Sequence, residues 1–133
     1  MEIQVVSKGK IGLLNLPQYF DFNDKNYLLE NLPQWTRVHQ IHLLVLNFTQ
    51  TEFIGSSGVY PMFQFLAQKP VRCGRKKVRY AIIGLCQEYE RLLEGMGIRK
   101  KFFLYNTSVN FAEQASKTLK LSKSEARSIL EWL

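Results

Sequence analysis

Leu43-Leu44-Val45-Leu46-Asn47-Phe48, then Thr49-Gln50-Thr51-Glu52-Phe53-Ile54, then Gly55-Ser56-Ser57-Gly58, is the stretch on which the reading of the chain turns. The first six residues are a short, bounded apolar run, the pattern of a strand covered on both faces. The next six read as a loop. The Gly-Ser-Ser-Gly turn brings flexible backbone and two hydroxyls to the start of an apolar helix carrying Val59, Met62, Phe63, Phe65 and Leu66. Pro61 fixes where that helix begins, because proline fits only the first turn, where its missing N–H costs nothing. The cap therefore falls near Ser57 or Gly58, with Ser56 just outside the helix. A hydroxyl placed there suits phosphorylation, since the unpaired N–H groups and the positive end of the helix dipole favour an added anion. The plainer alternative is that the serines only cap the helix.

Outward from this stretch, strands and helices alternate. Ile3–Val6 and Ile11–Leu16 read as strands joined by the Lys8-Gly9-Lys10 turn into a hairpin. Asn23 and Asp24 are expected caps for a helix with Tyr27, Leu28 and Leu32. Pro33 is expected near its end, with Trp35 just beyond and Thr36 to Gln40 as a polar break. After the central strand and helix, residues 72–77 read as a basic loop and Val78–Ile83 as a strand closed by Gly84. Gln87–Glu94 reads as a helix ended by Gly95-Met96-Gly97. Phe102–Tyr105 is a further strand, and Asn106-Thr107-Ser108 caps a helix through Leu119. A last segment, Leu121–Leu133, opens on Ser122-Lys123-Ser124-Glu125, a capping-box pattern. The alternation predicts an α/β fold, with a mixed, mostly parallel sheet and flanking helices.

At 133 residues the chain has the size of one domain, and 46% hydrophobic residues suffice for a core. No apolar run is long enough to span a bilayer. Met1-Glu2-Ile3-Gln4 enters a strand without a secretory pattern, so the expected location is cytoplasmic and no membrane insertion is expected. Cys73 and Cys86 lack metal or redox spacing and read as free thiols of a reducing compartment. His39 and His42 sit at the entry to a strand, where that spacing sends them to opposite faces, so no metal site is expected. Nucleophile-elbow, P-loop and dinucleotide patterns are absent, and no enzyme or cofactor is expected. The net charge of +7 permits a nucleic acid, an anionic membrane or an acidic protein as partner. Its densest run, Lys69 to Arg79 with Arg99-Lys100-Lys101 further on, has no interleaved stacking aromatics and reads as a solvated loop rather than a nucleic-acid face.

Two stretches together resemble a STAS domain, the family of bacterial anti-sigma factor antagonists and sulfate-transporter tails. One is Leu43 to Leu66. The other runs from Ile82-Ile83-Gly84-Leu85 through Tyr89-Glu90-Arg91-Leu92-Leu93-Glu94-Gly95-Met96-Gly97-Ile98 to Phe102-Phe103-Leu104-Tyr105-Asn106-Thr107. The resemblance implies a single STAS-type domain over residues 1–120; the helical extension, 121–133, lies beyond it, and its apolar spacing suits either folding back on the sheet or pairing with another copy as a homodimer. The resemblance also implies a non-enzymatic regulator that binds an anti-sigma factor, itself a serine kinase, and is released by phosphorylation. Ser56 matches the family's phosphoacceptor by position, with Thr49, Thr51, Glu52, Gly55, Ser57 and Gly58 lining the docking face. Gly55 stands where the family motif has aspartate, which leaves that face less acidic. The alternative role in the same fold is a subunit of a membrane transport assembly bound to the transporter's ATPase, and a lesser one is nucleic-acid binding through the basic patch.

Overall fold

The computed structural model describes residues 1–6, 10–55, 58–69 and 71–133. A five-stranded sheet runs in the order β1 (Ile3–Val6), β2 (Ile11–Asn15), β3 (Leu43–Asn47), β6 (Arg79–Ile83), β7 (Phe103–Tyr105). β1 pairs antiparallel with β2, and every other pairing is parallel. β4 (Arg72–Cys73) and β5 (Lys76–Lys77) form a separate two-stranded hairpin just before β6.

Each central strand is apolar on both faces, and alternate residues feed two cores. Leu14, Leu44, Leu46, Tyr80 and Ile82 face α1 (Phe22–His39), α2 (Val59–Gln68) and α3 (Gln87–Gly95). Leu13, Leu43, Val45, Ala81 and Ile83 face α4 (Ser108–Thr118) and α5 (Lys123–Leu130). The C-terminal segment folds back: Ala126 and Ile129 of α5 are buried with Phe111 and Ala115 of α4. Its expected capping box forms, with the Glu125 N–H donating to Ser122 Oγ and the Ser122 N–H to Glu125 Oε1.

α1 departs from expectation at both ends. Its cap is Asp21, in a capping box with Asp24, rather than Asn23 or Asp24. Pro33 lies inside the helix, which continues to His39, so Trp35 and the expected polar break from Thr36 are helical. The proline removes one N–H from the helical ladder. The helix is held across it by burial of Leu32 on one side and Thr36 on the other, and Thr36 Oγ1 donates to the Leu32 carbonyl at 2.8 Å. His39 is consequently an exposed residue of the last helical turn, not a strand residue. α3 ends as its glycines predict: the Ile98 N–H reaches the Leu93 carbonyl and the Gly97 N–H that of Glu94, a Schellman closure. Residues 72–77, expected as a basic loop, close into the β4–β5 hairpin through a turn at Gly74.

Candidate functional site

β2, β3, β6 and β7 all end at one edge of the sheet, and α1 to α4 begin there. In open α/β sheets this is the edge where ligands and partners dock. Its most prominent loop joins β3 to α2. Ser56 and Ser57, the expected phosphoacceptor and its neighbour, lie outside the described residues. The segments on either side of them are described and show how the loop is held.

The loop leaves β3 with the Phe48 N–H bound to the Ile83 carbonyl at 2.8 Å. Thr51 is buried; its hydroxyl donates to the Pro17 carbonyl at 2.8 Å, and its N–H to the Phe48 carbonyl at 2.9 Å. The Glu52 N–H donates to the Gln18 carbonyl at 2.8 Å. The β2–α1 segment thus forms a shelf under the loop. From the other side Tyr89 of α3 packs its ring at a tilt against Phe53, centroids 5.0 Å apart, and its hydroxyl accepts the Ile54 N–H at 3.2 Å. Burial pushes the Tyr89 phenol above its ordinary pKa.

Held in this way, the loop exposes Phe53 and Ile54, 46% and 38% accessible, beside Tyr19 at 55%. Glu52 is exposed next to Tyr19; its carboxylate raises the phenol's pKa through charge and a hydrogen bond. Thr49 is exposed as well. Of the residues expected to line a docking face, Thr49 and Glu52 therefore face solvent, while Thr51 braces the loop from beneath and Gly58 is buried. Gly58 is the N-cap of α2. A Cβ there would meet the main-chain carbonyl oxygens of Phe20 and Asp21 well inside 3.0 Å, so only glycine lets the helix start sit on the shelf. Gly55 is half-buried with φ of 91°, a backbone that an aspartate adopts only under strain. The missing family acid and the local backbone conformation go together.

A side-chain relay reaches the loop from the C-terminus. Asn15 Nδ2 donates to the Trp132 carbonyl at 3.1 Å, Asn47 Nδ2 to Asn15 Oδ1 at 2.8 Å, and the Thr49 N–H to Asn47 Oδ1 at 3.1 Å. Phe53, Ile54 and Tyr89 carry local signals of core residues in the sequence. What makes them a surface platform, the meeting of loop and α3, is a long-range contact with no local signature.

Charge divides between the two edges. The segments meeting at the loop edge carry Asp21, Asp24, Glu52, Glu88 and Glu90 against Lys25 and Arg91, with Glu90 also paired to Arg99 at 3.3 Å. The opposite edge, where the parallel strands begin, carries Lys10, Arg37, Arg79, Lys101, Lys120 and the β4–β5 hairpin. The positive excess of the chain therefore sits away from the loop. Among the described residues no group of three or more His, Cys, Asp or Glu side chains is placed to hold a metal, and no helix is long and apolar enough to cross a membrane.

No curated protein matches the chain in sequence. The solved structure described as "NMR Structure of the protein TM1081" is similar in fold, with a TM-score of 0.58 at 12% identity, covering 87% of this chain and 88% of that one. The STAS domain model matches residues 2–111, a span that includes the sheet, the β3–α2 loop and the start of α4, and this chain belongs to the STAS domain family.

Proposed function

We propose that the protein is a regulatory binding module of the anti-sigma factor antagonist type. It docks an anti-sigma factor that is also a serine kinase, through the β3–α2 loop and the start of α2, and Ser56 is the acceptor that ends the complex. In this role the protein works in signal transduction and transcription regulation by switching partners in the cytoplasm, and no catalysis of its own is needed. The observation that carries the reading is the braced loop. Phe53 and Ile54 are held out into solvent by Tyr89 on one side and the Pro17–Gln18 shelf on the other, immediately before Ser56 and Ser57. Apolar side chains fixed in advance on a rigid support cost little to order on binding, which is the property of an anchor. Glu52 and the acidic helix starts around it favour a partner surface that is apolar with a basic rim. A phosphate on the adjacent hydroxyl adds about −1.5 to −2 charges and expels that close-packed surface.

The test is to incubate the protein with a candidate anti-sigma factor serine kinase from the same genome and ATP, then map the modification by mass spectrometry. A complex that is lost on labelling of Ser56 supports the whole reading. A stable complex with Ser56 unlabelled leaves a binder without the phospho-switch, and no complex at all removes the reading. Gly55 in place of the family acid favours a second role, docking to the ATPase of a transport assembly. Recovery of that ATPase rather than a kinase by pull-down selects it.

A further inference from the structure

At the edge of the sheet opposite the loop there is a cavity of about 890 Å³ between the second half of α1, the end of α2 and the β4–β5 hairpin. Its volume lies in the range of small-molecule sites. The floor is apolar: Leu29 from α1, Phe65 from α2, and Val71 ahead of the hairpin. Arg37, Lys69 and Arg72 line it as well, Arg72 with one guanidinium nitrogen 3.4 Å from the Arg75 carbonyl oxygen, and among the described residues no carboxylate does. None of the three forms an ion pair among the described residues, where the salt bridges are those of Arg99 with Glu90 and Glu94.

Two features bear on the sign of the charge this site accepts. α1 and α2 both end here, and a helix C-terminus carries about half a negative charge. Each end is partly closed by its own backbone, the Gln40 N–H on the Thr36 carbonyl and the Lys69 N–H on that of Phe65. Three whole cations outweigh two partial charges, so the site is net positive.

We propose that this cavity binds a small amphipathic anion, an aromatic body carrying a phosphate monoester. The ring rests on Leu29, Phe65 and Val71, and the phosphate lies among Arg37, Lys69 and Arg72. Two guanidinium groups suit a phosphate because each offers paired donors to two oxygens at once. A polyanion such as duplex nucleic acid would use the cations and leave the apolar floor empty, and a neutral apolar ligand would do the reverse. The presence of both in one concavity selects the amphipathic anion. The site lies away from the β3–α2 loop, so it stands or falls independently of the partner proposed above.

The test titrates 1-naphthyl phosphate into the full chain and follows backbone amide signals by NMR. Saturable shifts at Val71, Arg72, Cys73 and Gly74 are expected. Cys73 also lines the cavity, its Sγ 3.7 Å from His42 Nε2. In a Cys86→Ser background its alkylation by iodoacetamide should therefore slow when the ligand is bound. Lys69→Glu and Arg72→Glu, both at exposed positions, should each weaken binding at least tenfold, and Glu113→Lys on α4, across the sheet from the cavity, should leave it unchanged. Equal binding of 1-naphthol would make the cavity merely apolar and overturn the proposal. Equal binding of inorganic phosphate would reduce it to a cation cluster and do the same. So would shifts of these amides by duplex DNA or by phosphatidylserine vesicles with naphthyl phosphate silent, or no saturable shift at all.

Discussion

Replacing Thr51 by valine tests whether the site loop is held from beneath. Valine keeps the shape and loses the hydroxyl that donates to the Pro17 carbonyl at 2.8 Å in a nearly closed environment, 6% accessible. The loss combines one net hydrogen bond with an acceptor left unpaired, about 1–2 kcal/mol. Unfolding entropy of about 2.1 cal/mol/K per residue over 133 residues gives about 0.28 kcal/mol/K, so the melting temperature should fall by about 4–7 °C. Thermal melts by circular dichroism read this directly. A urea titration should show a lower midpoint with an unchanged slope, because the surface exposed on unfolding stays the same. Thr51→Ser separates the contributions, since it keeps the donor and loses one methyl, worth about 0.8 kcal/mol. Hydrogen exchange at the Glu52 amide, which donates to the Gln18 carbonyl, should accelerate in the valine variant more than at the β3 amides. A valine variant within about 0.3 kcal/mol of wild type, with Glu52 exchange unmoved, would refute the claim that this hydroxyl braces the loop.

Further expectations concern the core, the helix start and the platform. The Tyr80 hydroxyl is buried and makes no hydrogen bond of good geometry among the described residues; burial raises its phenol to about 12, against a smaller lowering pull from the Val71 backbone. Tyr80→Phe should therefore leave stability equal or raise it by about 1 kcal/mol in a chemical melt, and a loss of that size would show that the hydroxyl has a partner. The unfolded chain releases this proton near pH 10 while the folded chain holds it, so stability is full below pH 10 and falls as pH rises towards about 12. The Phe variant should lose less over that window, as read by urea midpoints at stepped pH. Gly58→Ala forces a Cβ into the Phe20 and Asp21 carbonyls and should cost about 1–3 kcal/mol in the same melts. Gly55→Asp restores the family residue at a φ of 91° and should cost about 1–2 kcal/mol, measured against Gly55→Ala to isolate the charge. Phe53→Ala should change stability by less than Thr51→Val and weaken partner binding by at least tenfold in calorimetry, about 1.4 kcal/mol.

Much of the architecture was legible because local and global signals agree. The apolar run at 43–48, the glycines after α3 and the Ser122–Glu125 box each act within a few residues, and each appears as read. Pro61 correctly put the start of α2 next to Gly58. Pro33 misled for the opposite reason. A proline weakens a helix locally, but burial of Leu32 and Thr36 against the sheet carries α1 through it, and no local pattern reports that burial. The β4–β5 hairpin was hidden because arginine and lysine have weak strand preference; the backbone bond from the Val78 N–H to the Val71 carbonyl closes it. In the site, the loop itself could be located, but its supports could not. Tyr89 lies 35 residues beyond Ile54, and Pro17 lies 34 before Thr51. Contacts at that separation are decided by the fold of the sheet.

The relay from Trp132 through Asn15 and Asn47 to Thr49 can run in only one direction. Each amide gives with its nitrogen and takes with its oxygen, so an aspartate at either position sets two oxygens face to face. With aspartate at 47, rotating the Asn15 amide by half a turn moves the mismatch to the Trp132 carbonyl without removing it. Such a row behaves as a set of dominoes: the backbone at Trp132, just after α5, and the Thr49 amide of the β3–α2 loop are tied to one shared choice of amide orientation.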